Sequence, residues 1–160
     1  MDTLILMSRA QSAISDLESH TGFWLRFVSN HVSQAFAAKV RATGVTVAEW
    51  VMLRELYGVE SSTPGVLAER TGLTRGAVSK LVERLVEKRL VSRRGREEDR
   101  RYQDLALTAA GRRITPRLAA MADANDAEFF AALTAEESAG LLAVLKKLVR
   151  VNGMHQIPVE

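Results

Sequence analysis

The sequence predicts a mainly α-helical fold carrying one small antiparallel β-hairpin. Three observations lead there. Apolar residues recur at helical spacing through most of the 160 residues. The period switches to alternation only in "LVSRR" and "YQDLALT", two short strand-like runs. Thr stands just before several of the helical segments, where its hydroxyl can cap the first turn.

The elements follow in order. From Phe23 to Val40 the stripe is Phe23, Trp24, Phe27, Val28, Val32, Phe36 and Val40, and Gly44 in "ATGVT" suits the left-handed residue just past a helix. Thr46 and Glu49 form a capping box for a second helix bearing Trp50, Leu53, Leu56 and Tyr57. "GVESSTPG" is a turn-rich interruption. Thr63, with Pro64 at the first helical position, opens a short helix from Pro64 to Arg70. A tight turn through Gly72, stapled by Leu73, leads to the longest uninterrupted amphipathic segment, Arg75 to Lys88. Its apolar face is Val78, Leu81, Val82, Leu85 and Val86, with Arg75, Ser79, Lys80, Glu83, Arg84 and Glu87 opposite. The two strands are joined by "GREEDRR". Thr108 then caps a helix running from Ala109 towards Ala132, in which Pro116 should introduce a kink or a split. Thr134 and Glu137 form a second capping box, opening a helix striped with Leu141, Leu142, Leu145, Leu148 and Val149.

Composition narrows the function classes. There is no cysteine, which excludes disulfides and thiolate metal sites. No apolar run reaches 18 residues, and the opening "MDTLILMSRAQS" lacks a basic flank and a long apolar stretch. A cytoplasmic protein without membrane attachment is the simplest expectation. His20, His31 and His155 are too widely spaced for a metal site, so no metal or other cofactor is expected. No G-x-S-x-G elbow, P-loop or Rossmann glycine pattern is present, so an enzyme is not expected.

The net charge of +3 is unevenly held. Residues 70–101 carry 11 Lys/Arg against 5 Asp/Glu, a net of +6, while the remainder carries a net of −3. Such asymmetry points to a face that binds a polyanion. RNA binding by exposed aromatics fits poorly, because Tyr102 is the lone aromatic of the basic segment and its flank. Helix, helix, tight turn, helix, hairpin, in that order and with that charge, describes a winged helix-turn-helix. Its candidate contacts to double-stranded DNA are Thr63, Thr74, Arg75, Ser79, Lys80, Arg84, Arg94, Arg96, Asp99 and Arg101. Arg75 suits bidentate reading of guanine, and Ser79, Lys80 and Arg84 suit phosphates. Lys88 is expected to be a further phosphate contact or a solvated residue.

At these residues the chain resembles the MarR family of transcriptional regulators. The likeness spans "TGFWLRF", "GVTVAEWVMLREL", "TPGVLAERTGLTRGAVSKLVERLVEKRLVSRR" and "EEDRRYQDLALTAAGRR". The wing motif falls on Asp99, Arg101, Leu107, Thr108 and Gly111. The resemblance implies a homodimer whose first and last helices interlock over a pseudo-palindromic operator. Residues 1–45 would then be dimerisation helices, 46–108 the DNA-binding region, and 109–160 the C-terminal linker and dimerisation helices of one intertwined domain. It also implies a ligand-responsive repressor, with a small-molecule effector such as an aromatic acid. Phe27, His31, Trp50 and Arg54 are the candidates for holding it, with Arg26 an alternative carboxylate partner. Arg101 would enter a minor groove, with Asp99 bracing its guanidinium. Two departures stand out: Arg89 occupies a place where the family usually has glycine, and Pro116 is foreign to the pattern. The competing reading is a winged-helix DNA-binding or protein-interaction module with an architectural role and no effector.

Overall fold

The computed structural model describes residues 14–95 and 104–154. The chain divides into two compact units, residues 1–35 and 36–160. In the first unit a 3₁₀ turn at Leu17–Ser19 precedes helix α1, Thr21–Arg41, whose last turns belong to the second unit. The Trp24 indole donates to the Glu18 carbonyl at 2.7 Å, and Phe23, Trp24 and Phe27 meet edge-on or tilted. None of the described residues of this unit is buried.

The second unit holds the core. Helix α2 spans Val47–Tyr57, α3 Pro64–Thr71 and α4 Arg75–Glu87. Strands β1, Val91–Arg94, and β2, Asp104–Leu107, follow, then helices α5, Ala109–Phe129, and α6, Ala135–Val151. The mainly helical fold and the hairpin expected from the sequence are both present. Met52, Leu53 and Leu56 of α2, Leu67 of α3, Val78, Val82 and Leu85 of α4, Leu105 of β2 and Leu118 of α5 are fully buried together. Each such side chain contributes about 2 kcal/mol of transfer free energy.

The strands pair antiparallel, with Val91 opposite Leu107 and Arg94 opposite Asp104. Two details depart from the sequence reading. Ala106 is buried like its neighbours Leu105 and Leu107, so β2 does not alternate. Ser62, inside the turn-rich "GVESSTPG", exchanges backbone hydrogen bonds with Leu105 at 2.9 and 2.7 Å, a single antiparallel bridge on the free edge of β2.

Pro116 does not split the helix, which runs continuously from Ala109 to Phe129. Its ring sits on the exposed side, while Thr115 and Leu118 are buried. On the buried face the Thr115 hydroxyl donates to the Gly111 carbonyl at 2.8 Å.

Arg89 takes the left-handed conformation that its position demands, with φ +58°. An L-residue there costs roughly 1–2 kcal/mol. Neighbouring contacts hold it: the Thr108 hydroxyl donates to the Arg89 carbonyl at 2.7 Å, and the Thr108 N–H donates to the Leu90 carbonyl at 3.0 Å. Gly111 is required just beyond, since a Cβ there would stand 2.1 Å from the Leu90 carbonyl oxygen.

Candidate DNA-binding surface

The surface is built on the α3–turn–α4 unit. Both helices begin with a threonine hydroxyl accepting a backbone N–H: Thr63 from Val66 at 3.3 Å and Thr74 from Ala77 at 3.2 Å. Neither helix has an acid in its first turn. Their N-terminal partial charges are therefore not neutralised by side chains and stay available to an anion. Between them Gly72 ends α3 in the left-handed region at φ +71°, where a side chain would be strained. The Thr71 hydroxyl donates to the Leu67 carbonyl, and Leu73 packs on the core. Arg70 Nε lies 2.7 Å from Glu55 Oε2, tying α3 to α2.

Helix α4 buries Val78, Leu81, Val82 and Leu85 and exposes Arg75, Ser79, Lys80, Glu83 and Arg84. The four sequence-nominated α4 residues thus share one exposed arc over about 13 Å of helix. Arg94 is exposed at the end of β1, in register with Asp104. Arg96, Asp99 and Arg101 lie outside the described residues, and so does the bracing of Arg101 by Asp99. Arg93 was not nominated, yet it is exposed one residue before Arg94, with a guanidinium nitrogen 4.0 Å from Glu83 of α4. Strand alternation gave no signal for it, since it puts Arg93 on the face of buried Val91, across from buried Leu105. An exposed pair at that distance contributes at most ~1 kcal/mol.

Lys88 corrects the sequence reading. It is not merely solvated, because its ammonium is engaged within the chain. Its ammonium donates to Glu49 Oε1 and Oε2 at 2.8 and 2.7 Å and to the Gly44 carbonyl at 2.7 Å. The side chain of Glu49 is 1% exposed, that of Lys88 36%. Burial pushes the Glu49 carboxyl up, but the hydrogen bond from Lys88, the Thr46 N–H and the lysine charge outweigh it and leave it below the ordinary carboxylate value. Sequence patterning identified Glu49 only as a capping residue.

The effector candidates fall in both units. In the first, Phe27 and His31 stack with centroids 4.4 Å apart, and His31 Nδ1 lies 2.8 Å from the Phe27 carbonyl oxygen. In the second, Trp50 meets Phe36 edge-on, and Arg54 is exposed four residues further along α2. Two clefts of the second unit are lined by other residues. One, about 530 Å³, is an apolar groove between α5 and α6 that includes Phe130, Leu133, Leu141 and Leu145. The other, about 330 Å³, lies at the α1–α2 turn beside Arg41 and Val45. Among the described residues no group of three His, Asp or Glu is placed to hold a metal.

The MarR family model matches residues 43–101, the stretch from the α1–α2 turn to the wing. The HTH-type transcriptional repressor Rv2887 of Mycobacterium tuberculosis is 30% identical over 127 residues, which are 79% of this chain and 91% of that protein. The chain belongs to the MarR family of transcriptional regulators. Among solved structures, a mutant MarR from E. coli complexed with operator DNA matches with a TM-score of 0.72. It is 25% identical, over 80% of this chain and 92% of that one. The M. tuberculosis MarR-family protein Rv2887 in complex with salicylic acid matches with a TM-score of 0.63. There the identity is 28%, over 81% of this chain and 96% of that one. In MarR terms, α3 and α4 are the helix-turn-helix and β1–β2 the wing. No described helix is long and apolar enough to cross a membrane.

Proposed function

We propose that this protein is a homodimeric repressor that binds a pseudo-palindromic operator and releases it on binding a small aromatic acid. The observation that carries this reading is the division of α4, whose apolar face is buried and whose basic face is free. Arg75 reads a guanine edge, Ser79, Lys80 and Arg84 hold phosphates, and Thr63 and Thr74 present the two helix N-termini. Arg94, Arg96 and Arg101 serve the wing, with Arg101 in the minor groove and Asp99 beside it, a reading that rests on the wing motif. A duplex operator supports two such units about 10 bp apart. This reading requires a protein that acts in the cytoplasm, beside the operator it binds.

Dimerisation is supported by α6, which has no buried residue although Leu142, Leu145, Leu148 and Val149 form a stripe along it. The aromatic-acid effector is supported by the salicylic acid complex of Rv2887. In the second unit Trp50 and Arg54 supply an aromatic and a cationic group such a ligand needs, and in the first Phe27 and His31 are the candidates. Release requires that the effector bind the DNA-free arrangement more tightly than the DNA-bound one.

The test is selection of duplexes from a random pool, followed by footprinting and titration with salicylate. Two related half-sites one helical turn apart, bound by a dimer and lost in Arg75→Ala and Arg101→Ala at unchanged thermal stability, are expected. Binding without sequence preference or fixed spacing would support the architectural module instead.

A further inference from the structure

We infer that Lys88 is a positioning residue for DNA binding: clamped to Glu49 and to the Gly44 carbonyl, it sets the direction of α4. The inference rests on the DNA-binding reading of α4 given above.

The Lys88 ammonium meets three acceptors within one chain, Gly44 O, Glu49 Oε1 and Glu49 Oε2. The acceptors are themselves held. Glu49 Oε2 also accepts the Thr46 N–H at 2.8 Å, so the carboxylate cannot swing without opening the cap of α2. Gly44 sits in the α1–α2 turn at φ +73°. One cation therefore joins that turn, the start of α2 and the end of α4. On the other side of the same chain exit, Thr108 grips the carbonyls of Arg89 and Leu90.

Leverage makes this end of α4 matter. Lys88 follows Arg75 by 13 residues, roughly 20 Å along the axis. A tilt of about 10° at Lys88 would carry Arg75 about 3 Å sideways, more than a hydrogen bond tolerates. Ion pairs of this kind add little net stability over a well-packed apolar pair, so geometry is the property that the clamp supplies.

The experiment compares wild type, Lys88→Arg and the double variant Lys88→Met/Glu49→Gln on the duplex that wild type selects from a random pool. Glu49→Gln is included because Lys88→Met alone would strand a buried carboxylate. The double variant is expected to unfold near the wild-type temperature, to bind at least about tenfold more weakly, and to keep the wild-type salt slope. Lys88→Arg keeps a cation for any phosphate but exchanges the three-way ammonium for a planar fork, so it too is expected to bind more weakly. Wild-type affinity in both variants, or a salt slope flattened by about one in the double variant, would overturn the clamp. Full affinity in Lys88→Arg would also overturn it if the double variant failed to fold. Wild-type protein that selects no duplex would instead overturn the DNA-binding reading, leaving the two failures distinct.

Discussion

Helices α2 and α6 open with the same device and end in opposite circumstances. Thr46 and Glu49 close one capping box and Thr134 and Glu137 the other, with hydrogen bonds of 2.8 and 3.2 Å in each. Yet Glu49 is buried and clamped by Lys88, whereas Glu137 stands in solvent. The contrast extends along the helices: α2 buries Met52, Leu53 and Leu56 completely, and α6 buries nothing. Local chemistry starts a helix, but only packing decides what its side chains are worth. The apolar stripe of α6 awaits a surface that one chain does not provide.

Glycine should show this most strongly. Gly111→Ala in α5 drives a Cβ into the Leu90 carbonyl, and a loss of about 3 kcal/mol or more, or failure to fold, is expected in urea unfolding. Gly140→Ala in α6 meets nothing within 4 Å and should gain up to about 1 kcal/mol from helix propensity. A loss at Gly140 would mean that a second copy packs closely there.

Leucine comes next. Leu53→Ala empties a fully buried site and should cost about 3 kcal/mol at any protein concentration. Leu145→Ala removes a side chain that is 37% exposed. If α6 is a dimer surface, its effect should appear as a midpoint that falls more steeply on dilution than that of wild type. A Leu145→Ala midpoint equal to wild type at every concentration would remove α6 from the interface.

The smallest effects concern acid. Both carboxyls are held below the ordinary value of 4.5. At Glu49, burial opposes the shift, and the Lys88 and Thr46 contacts overcome it; at Glu137, the Thr134 N–H and then the Thr134 hydroxyl produce it. A depressed carboxyl stabilises above its unfolded value and loses that contribution as pH falls through its folded value. Glu49→Gln should therefore cost about 1–2 kcal/mol near pH 7, and the gap from wild type should narrow below pH 4.5. Glu137→Gln should leave a much smaller difference, with the same sign. Equal effects at the two sites would mean that Lys88 contributes nothing to the folded state.

Much of this was legible in the residues. The Thr caps, the left-handed turns at Gly44 and Gly72 and the split of α4 into buried and exposed faces follow from local rules. The place of Arg89 was marked only by the family resemblance, which usually has glycine there, and the fold alone decided that the arginine takes a left-handed φ. Of the kink or split expected at Pro116, the split does not occur, since propensity in isolation takes no account of the buried face that carries α5 past it. Ser62 was read as turn because a single bridge has no sequence period.

By itself, then, the sequence determined the elements, their order and the charged face of α4, because these depend on interactions within a few residues. Tertiary structure alone decided that Glu49 is buried and Glu137 is not, and that Lys88 turns away from the basic face to hold the end of α4. The partners of Lys88 stand 39 and 44 residues away along the chain. No local pattern encodes which lysine will find a buried carboxylate, since that is settled by how the helices pack.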